Sequence, residues 1–129
     1  MKIKSFRDLK VWQKAFALSC RLYELTRSWP KEERYSLIDQ TLRSSRSVSG
    51  QIAEGWAKRM YPKAFKVKMV DAMGEAQETQ NWLDYALQHG YLDKDIYHEI
   101  DNDYQEIISM LWVMHNDPER FLPKSEKDY

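Results

Sequence analysis

The chain has 129 residues, of which 43% are hydrophobic and 31% are charged, and its formal net charge is zero. A chain of this length buries roughly two thirds of its unfolded surface on folding, so it needs no structural metal, and a single cysteine excludes an intrachain disulfide. The charged start and the lack of any run of ~20 apolar residues argue against a signal peptide and a membrane span, which predicts a cytoplasmic protein with no membrane partner.

Residues that end helices divide the chain into four segments, at Trp29-Pro30, Tyr61-Pro62, Gly90 and Asp117-Pro118. Each segment is long enough for a helix of about 20–28 residues, and the short connections favour antiparallel neighbours. We therefore predict an all-α protein, a single antiparallel up-down-up-down four-helix bundle over residues 1–129. The predicted helices span 6–28, 31–58, 63–89 and 94–115, and a polar tail follows over 116–129, disordered from Pro118 onward.

The first predicted helix, which Ser5-x-x-Asp8 can cap, carries two apolar stripes about 140° apart. One bundle can bury only one stripe fully, and large exposed apolar patches are uncommon on monomers. We expect the second stripe to lie against another copy of the chain, and the alternative is a single wide stripe that loops and the C-terminal tail cover. The first stripe is Leu9, Trp12, Phe16 and Tyr23, and the second is Val11, Ala15, Leu18, Leu22 and Leu25.

The second predicted helix begins after Pro30, with Glu32 and Glu33 near the positive end of its dipole. Gly50 and Gly55 each cost about 1 kcal/mol relative to alanine inside a helix, and they make the helix thin. A thin helix allows another backbone to approach, either within the bundle or at a subunit contact, and the sequence does not choose between them. Its predicted core face is Ile38, Leu42, Ser45, Ser49, Ile52 and Trp56.

Charge is distributed unevenly along the chain, with +4 over residues 1–40, +6 over 41–70 and −10 over 71–129. Clustered lysine and arginine side chains neutralise phosphates, and Tyr61 within the cluster can stack on an unpaired base. The alternative is that Arg43 and Arg46 pair with acidic residues of their own or a neighbouring chain, while Glu54 and Lys58 form an i,i+4 pair. The candidate binding residues are Arg43, Arg46, Lys58, Arg59, Lys63, Lys66 and Lys68.

The third and fourth predicted helices each show a clear core face at helical spacing. The third also has a weaker second stripe, which we assign to a subunit interface together with the second stripe of the first helix. The core faces are Phe65, Met69, Ala72, Met73, Ala76, Leu83 and Leu87, and Ile96, Ile100, Tyr104, Ile107, Leu111 and Met114. The predicted interface comprises Val11, Leu18, Leu22, Leu25, Val67, Val70 and Tyr85.

Motifs for known catalytic and metal chemistry are missing from the sequence. It has no glycine-rich phosphate loop and no Cys-x-x-Cys pair. A di-iron bundle needs Glu-x-x-His on two helices, and the nearest match, Asp95-x-x-His98, occurs once. Cys20 is interpreted as a small buried residue. We predict a protein that is not an enzyme and has no catalytic residues, metal or cofactor.

Several ordered motifs between about Ser5 and His115 resemble the bacterial four-helix bundle family encoded in intervening sequences of 23S ribosomal RNA genes. That family is similar to the accessory variability determinant of diversity-generating retroelements. The motifs are Phe6-x-Asp8-Leu9-x-Val11-Trp12-Gln13-Lys14-Ala15, Trp29-Pro30-x-Glu32-Glu33-x-Tyr35-x-Leu37, Gln40-x-x-Arg43-Ser44-Ser45-x-Ser47-Val48, Ile52-Ala53-Glu54-Gly55, Lys58-Arg59, Gly74-Glu75-Ala76-x-Glu78-Thr79-Gln80 and Gly90-Tyr91-Leu92.

The resemblance implies antiparallel four-helix bundles that assemble as pentameric rings, with no assigned catalytic residues. It also implies binding of a reverse transcriptase and nucleic acid through basic surfaces, as is thought for the retroelement relative. The chain departs from the family pattern at Gln51, where the family usually has asparagine, and at Glu75, where it often has serine. Glu75 weakens the case that its own face touches nucleic acid. The family motif positions that carry over are Arg43, Arg46, Glu54, Lys58, Arg59 and Glu78.

Together these observations predict a homo-oligomeric, pentameric adaptor that binds RNA or DNA, or a nucleic-acid enzyme such as a reverse transcriptase, through residues 43–68. The alternative is a protein–protein scaffold without a nucleic-acid role, in which the oppositely charged parts of the chain serve ring assembly.

Overall fold

The computed structural model describes residues 3–123, and four α-helices account for most of them. No strand occurs in this range, so the predicted all-α four-helix bundle is confirmed. None of the four helices combines the length and apolarity needed to cross a membrane. The helices are α1 (Lys10–Thr26), α2 (Leu37–Ala57), α3 (Pro62–Gln88) and α4 (Lys94–Asn116), with short 3₁₀ helices at Phe6–Asp8, Lys31–Glu33 and Pro118–Phe121.

Side-chain contacts between the helices give the topology. Along each packed pair, residue numbers rise on one helix as they fall on the other, so α2, α3 and α4 alternate in direction and α1 opposes α4. The helices therefore run up, down, up and down. The contacts are Ser44–Thr79 (2.8 Å) and Glu54–Lys68 (2.7 Å), Gln80–Asp101 (3.1 Å) and Asp84–Tyr97, and Lys14–Asp103 (3.3 Å) and Arg21–Glu99 (3.0 Å).

The first two helices begin later than the sequence pattern predicts, because local side-chain bonds favour a 3₁₀ turn first. The predicted cap at Ser5 forms, with Asp8 accepting from the Ser5 backbone N–H at 3.0 Å, but it caps the turn that precedes α1. Before α2, the Glu33 carboxylate accepts hydrogen bonds from Ser36 Oγ at 2.6 Å and from Leu37 N at 3.4 Å. Glu33 therefore marks the start of α2 at Leu37.

The last two helices begin and end close to their predicted positions. Gly90 follows α3 with a φ of 78°, a left-handed conformation that favours glycine, as expected of a helix terminator. Asp93 accepts a hydrogen bond from Asp95 N at 2.8 Å and caps the start of α4.

On α1 the stripe that was predicted to lie against another copy faces the interior of the bundle instead. Val11 and Leu22 are 2% and 0% exposed and Leu18 is buried with them, because their side of α1 faces the bundle interior. The prediction that these three residues form a subunit interface is therefore wrong. Leu25, assigned to the same interface, is half-buried against the core.

The first stripe of α1 instead remains partly at the surface. Phe16 is 50% and Tyr23 is 45% exposed, and Phe16 stacks on the half-buried Trp12 with ring centroids 4.9 Å apart. The predicted interface residues of α3, namely Val67, Val70 and Tyr85, are exposed at 57%, 46% and 50%.

The core face of α2 is rotated from the predicted one, because buried hydroxyl groups form part of it. Ser44 Oγ lies 2.8 Å from Thr79 Oγ1 on α3, and Ser45 Oγ lies 2.9 Å from Ser19 Oγ on α1. Paired hydroxyls of this kind lose little by leaving water. Leu37, Thr41, Val48 and Ile52 are buried with them, while the predicted core residues Ile38, Leu42 and Trp56 are only half-buried.

Of the two glycines in α2, only Gly55 is required by packing inside the subunit. A Cβ atom at Gly55 would lie 2.5 Å from Met69 Cε and 3.1 Å from Lys68 Cβ, whereas one at Gly50 would meet nothing within 4 Å. The absence of a side chain at Gly55 therefore lets α3 approach α2 closely.

Part of the predicted disordered tail is ordered. Pro118 is buried, and the half-buried Phe121 stacks on Phe65 of α3 with ring centroids 5.3 Å apart. An apolar contact with the core thus holds the chain after α4, which corrects the prediction for 118–123. Residues 124–129, also assigned to the tail, lie outside the described residues.

We expect Phe121→Ala to lower the free energy of unfolding by about 1–2 kcal/mol. The substitution removes a half-buried aromatic side chain and its stacking contact with Phe65. Urea denaturation followed by circular dichroism measures this change. Leu122→Ala is the matched control, since Leu122 is 41% exposed and should cost less than about 0.5 kcal/mol. Equal effects of the two substitutions would show that Phe121 does not anchor the segment.

Candidate nucleic-acid interface

The seven predicted binding residues do not form one continuous surface. Arg43 and Arg46 lie near the middle of α2, and Lys68 lies between α2 and α3. The other four surround the α2–α3 turn, about 18 Å along the helix from Arg46 at 1.5 Å per residue. We call these four, Lys58, Arg59, Lys63 and Lys66, the basic turn cluster.

The backbone of the α2–α3 turn is tightly closed. Lys58 is the C-cap of α2, and its carbonyl accepts a hydrogen bond from Tyr61 N at 2.9 Å. Pro62 occupies the first turn of α3, where its missing N–H costs nothing. The short turn leaves Met60 49% and Tyr61 64% exposed, so large side chains lie at the surface among the cations.

Arg59 is held in place by the end of α2. Its guanidinium carbon lies 4.0 Å from the centroid of the Trp56 ring, and Nη1 donates to the Trp56 carbonyl at 2.9 Å. Cation–π contact and a helix-terminal carbonyl both favour a cation here. Arg59 is therefore more rigidly placed than the exposed Lys58 and Lys63.

Lys68 is already engaged inside the subunit, which contradicts its assignment to the binding surface. Its ammonium lies 2.7 Å from the Glu54 carboxylate and 3.1 Å from Gln51 Oε1, and only 18% of its side chain is exposed. The hydrogen bond from Lys68 lowers the pKa of Glu54. Glu54 thus pairs across α2 and α3, and the predicted i,i+4 pair with Lys58 is not formed.

Arg43 and Arg46 line a groove of about 600 Å³ between α2 and α3. Arg43 lies 3.6 Å from Asp39 of the same helix, an exposed pair worth little. Glu75 and Glu78 form the opposite wall of the groove. Burial, followed by the charge of Glu78, raises the pKa of Glu75. Because the groove carries both signs of charge, it is a poorer surface for a polyanion than the α2–α3 turn.

A second groove of about 490 Å³, which no motif in the sequence indicated, runs between α1 and α2. Its lining includes Phe16, Cys20, Tyr23, Arg46 and Ser49. Cys20 is exposed there, so its interpretation as a buried residue is wrong. The two-stripe pattern of α1 was the available signal, but it did not show which stripe faces outward.

Within residues 3–123 no three histidine, cysteine, aspartate or glutamate side chains are grouped so that they could hold a metal ion.

The comparisons with known proteins agree on a family. A family model described as 23S rRNA-intervening sequence protein matches residues 7–113. The chain is also similar to a crystal structure of a protein of unknown function from the S23 ribosomal protein family of Bacteroides thetaiotaomicron. The TM-score is 0.73 at 26% sequence identity, covering 82% of this chain and 95% of that one. No curated protein matches the chain.

We expect Glu75→Gln to raise the free energy of unfolding at pH 7 and to have no effect below about pH 4. A carboxyl group whose pKa is raised by folding opposes folding when ionised, and the penalty disappears once both states are protonated below the ordinary value of 4.5. Urea denaturation at the two pH values measures the difference. Glu119→Gln, at an exposed position, is the control for the change of charge. A stabilisation that persists at low pH would contradict this assignment.

Proposed function

Since this chain belongs to the family of 23S rRNA-intervening sequence proteins, we propose that it is a homo-oligomeric, non-enzymatic adaptor that binds nucleic acid through the basic turn cluster. The similarity that the sequence motifs imply between that family and the accessory variability determinant supports a pentamer, and a reverse transcriptase as the kind of enzyme that the adaptor serves.

The observation that carries this proposal is the composition of the α2–α3 turn. Within the described chain, none of the four cations of the basic turn cluster forms an ion pair with a carboxylate. Tyr61 lies among them with 64% of its surface exposed. Unpaired cations bind phosphates with release of counterions, and an exposed ring offers a stacking surface for a base.

This chemistry favours single-stranded nucleic acid or unpaired loops over a regular duplex. Base stacking on Tyr61 requires an unstacked base, which a duplex interior does not offer. Four cations at one end of the bundle can contact only a few phosphates, so we expect weak affinity per subunit. A ring that presents several copies of the cluster would strengthen binding through effective concentration.

Self-association is supported by the apolar side chains at the surface of the subunit. Phe16 and Tyr23 on α1 and Val67, Val70 and Tyr85 on α3 are each about half exposed, and apolar patches of this kind are typical of interfaces. We therefore retain Val67, Val70 and Tyr85 of α3 in the proposed interface, and we replace the buried residues of α1 with Phe16 and Tyr23.

The alternative, a protein–protein scaffold, draws support from the mixed groove between α2 and α3. There the arginines face Glu75 and Glu78, so the charges can serve assembly without any polyanion. Binding measurements with nucleic acid separate the two proposals.

We expect the protein to bind single-stranded RNA with an affinity that falls steeply with salt, and Lys58→Gln with Lys63→Gln to weaken that binding. Each lost phosphate contact should reduce the slope of log K against log salt by about 0.7. Fluorescence anisotropy at several salt concentrations measures both quantities. Lys31→Gln with Lys94→Gln removes two exposed lysines from the opposite end of the bundle and should leave the slope unchanged. An affinity for RNA that does not change with ionic strength would favour the alternative, a protein–protein scaffold.

We expect Tyr61→Ala to weaken RNA binding by roughly 5- to 160-fold, as a stacked base is worth about 1–3 kcal/mol. The salt slope should stay the same, because no phosphate contact is removed, and Tyr61→Phe should bind like the unmodified protein. Tyr35→Ala is the matched control, since Tyr35 is 87% exposed at the other end of the bundle. If Tyr61→Ala and Tyr35→Ala behave alike, Tyr61 does not contact a base.

A further inference from the structure

Two glycines inside helices have no explanation within the subunit. Gly50 in α2 and Gly74 in α3 each cost about 1 kcal/mol relative to alanine. A Cβ atom at either position would meet nothing within 4 Å, in contrast to Gly55. Among the described glycines only Gly90 has a positive φ, so backbone conformation does not require glycine at Gly50 or Gly74. Both positions allow close approach by another molecule.

Gly50 and Gly74 lie at the same height along the bundle. Ser44 is hydrogen-bonded to Thr79, and Gly55 lies against Met69. In antiparallel helices the residue number on α3 falls by one for each residue gained on α2. Counting in this way between the two contacts places Gly50 level with Gly74. The same count places Arg46 level with Glu78, one helical turn away.

Both glycines belong to stripes that face away from the bundle. On α2 the stripe consists of small residues beyond Arg46, and on α3 it consists of exposed apolar residues with Glu78. A small stripe lets a neighbouring helix approach closely, and the apolar side chains provide the surface to bury. The α2 stripe is Arg46, Gly50, Ala53 and Ala57, and the α3 stripe is Val67, Val70, Gly74, Glu78 and Tyr85.

The charged residues at this height line the α2–α3 groove of the subunit but form no ion pair with one another in the described structure. Arg46 on α2 forms no ion pair with any carboxylate of residues 3–123, and neither do Glu75 and Glu78 on α3. Burial and the neighbouring charge of Glu78 raise the pKa of Glu75. A second copy of the chain would place a carboxylate beside Arg46 on one side and an arginine beside Glu78 on the other.

We propose that the outward stripe of α2 in one copy packs against the outward stripe of α3 in the next copy, with Gly50 against Gly74 and Arg46 against Glu78. This docking rests on the self-association in the proposed function and specifies the faces that form it. The contact is heterologous, so every copy uses its α2 stripe on one neighbour and its α3 stripe on the other.

The register agrees with a ring whose axis is parallel to the helices. Rotation about such an axis preserves height and direction, so α2 of one copy and α3 of the next remain antiparallel and level. Gly50 then meets Gly74 and Arg46 meets Glu78 in one alignment. In a parallel alignment that kept the glycines together, Arg46 would face the apolar Val70. The positions of charge and glycine therefore select the arrangement that a closed ring requires.

Gly74→Leu tests the close approach of the helices. Leucine is a better helix former than glycine, and its Cβ meets nothing within its own subunit, so the subunit should keep its helical content. We expect the oligomer to dissociate into folded monomers, as measured by light scattering after size-exclusion chromatography and by circular dichroism. Gln105→Leu, at an exposed position on α4, is the matched control and should remain oligomeric.

A charge exchange tests the pairing of Arg46 with Glu78. Arg46→Glu and Glu78→Arg should each weaken assembly by about tenfold or more, since each places like charges together at the contact. The double variant should restore assembly to within about threefold of the unmodified protein. If the unmodified protein is oligomeric but Gly74→Leu and both single variants assemble normally, this docking is wrong and the proposed self-association stands. An unmodified protein that is monomeric at tens of micromolar overturns both.

Discussion

The bundle depends on the two pairs of buried hydroxyls that flank α2. Ser45 meets Ser19 of α1 at 2.9 Å, and Ser44 meets Thr79 of α3 at 2.8 Å. Ser44, Ser45 and Thr79 also donate to carbonyls of their own helices, so losing a pair costs these groups less than the roughly 1–3 kcal/mol of a buried polar group with no partner. The pairs form only when this side of α2 faces α1 and α3, so together with the buried Val48 and Ile52 they define the rotation of α2 about its own axis. That rotation turns Arg43, Arg46 and Gly50 outward, and it brings the bare Gly55 backbone against Met69.

How much could be predicted from the sequence differs between the helices. On α4 the spacing identifies the buried side correctly, because Ile100, Tyr104, Ile107 and Leu111 are all fully buried and large. On α1 both stripes are apolar, and periodicity alone cannot say which one the other helices cover. On α2 the predicted face includes the buried Ser45 and Ile52 but is rotated from the observed core face, since serine and threonine with hydroxyl partners on adjacent helices form part of the core. Those partners are more than 25 residues away in sequence and leave no local signal.

For the candidate site too, the sequence gives the number of charges but not the surroundings of each one. In sequence, residues 41–70 form a single basic run, but folding places its members in three different environments. Lys68 pairs with Glu54 across α2 and α3, Arg43 and Arg46 lie at the surface along a groove that they share with the glutamates of α3, and the other four surround the turn. A net charge of +6 over a segment therefore overstates the surface available to an anion. The exposure of Tyr61 could be foreseen from its place before a helix-opening proline, because such turns lie at the surface.

The contact between Phe121 and Phe65 also determines where the chain leaves the bundle. Phe65 lies in the first turn of α3, four residues after Tyr61. The chain after α4 is thus returned to the end that carries the α2–α3 turn, and the 3₁₀ turn before α1 lies at that end as well. A dye attached at Glu119, an exposed residue of the same 3₁₀ turn as Phe121, will lie at the end of the bundle that carries Tyr61 and its neighbouring lysines. A reporter placed near Gly90, at the opposite end, leaves that surface unobstructed.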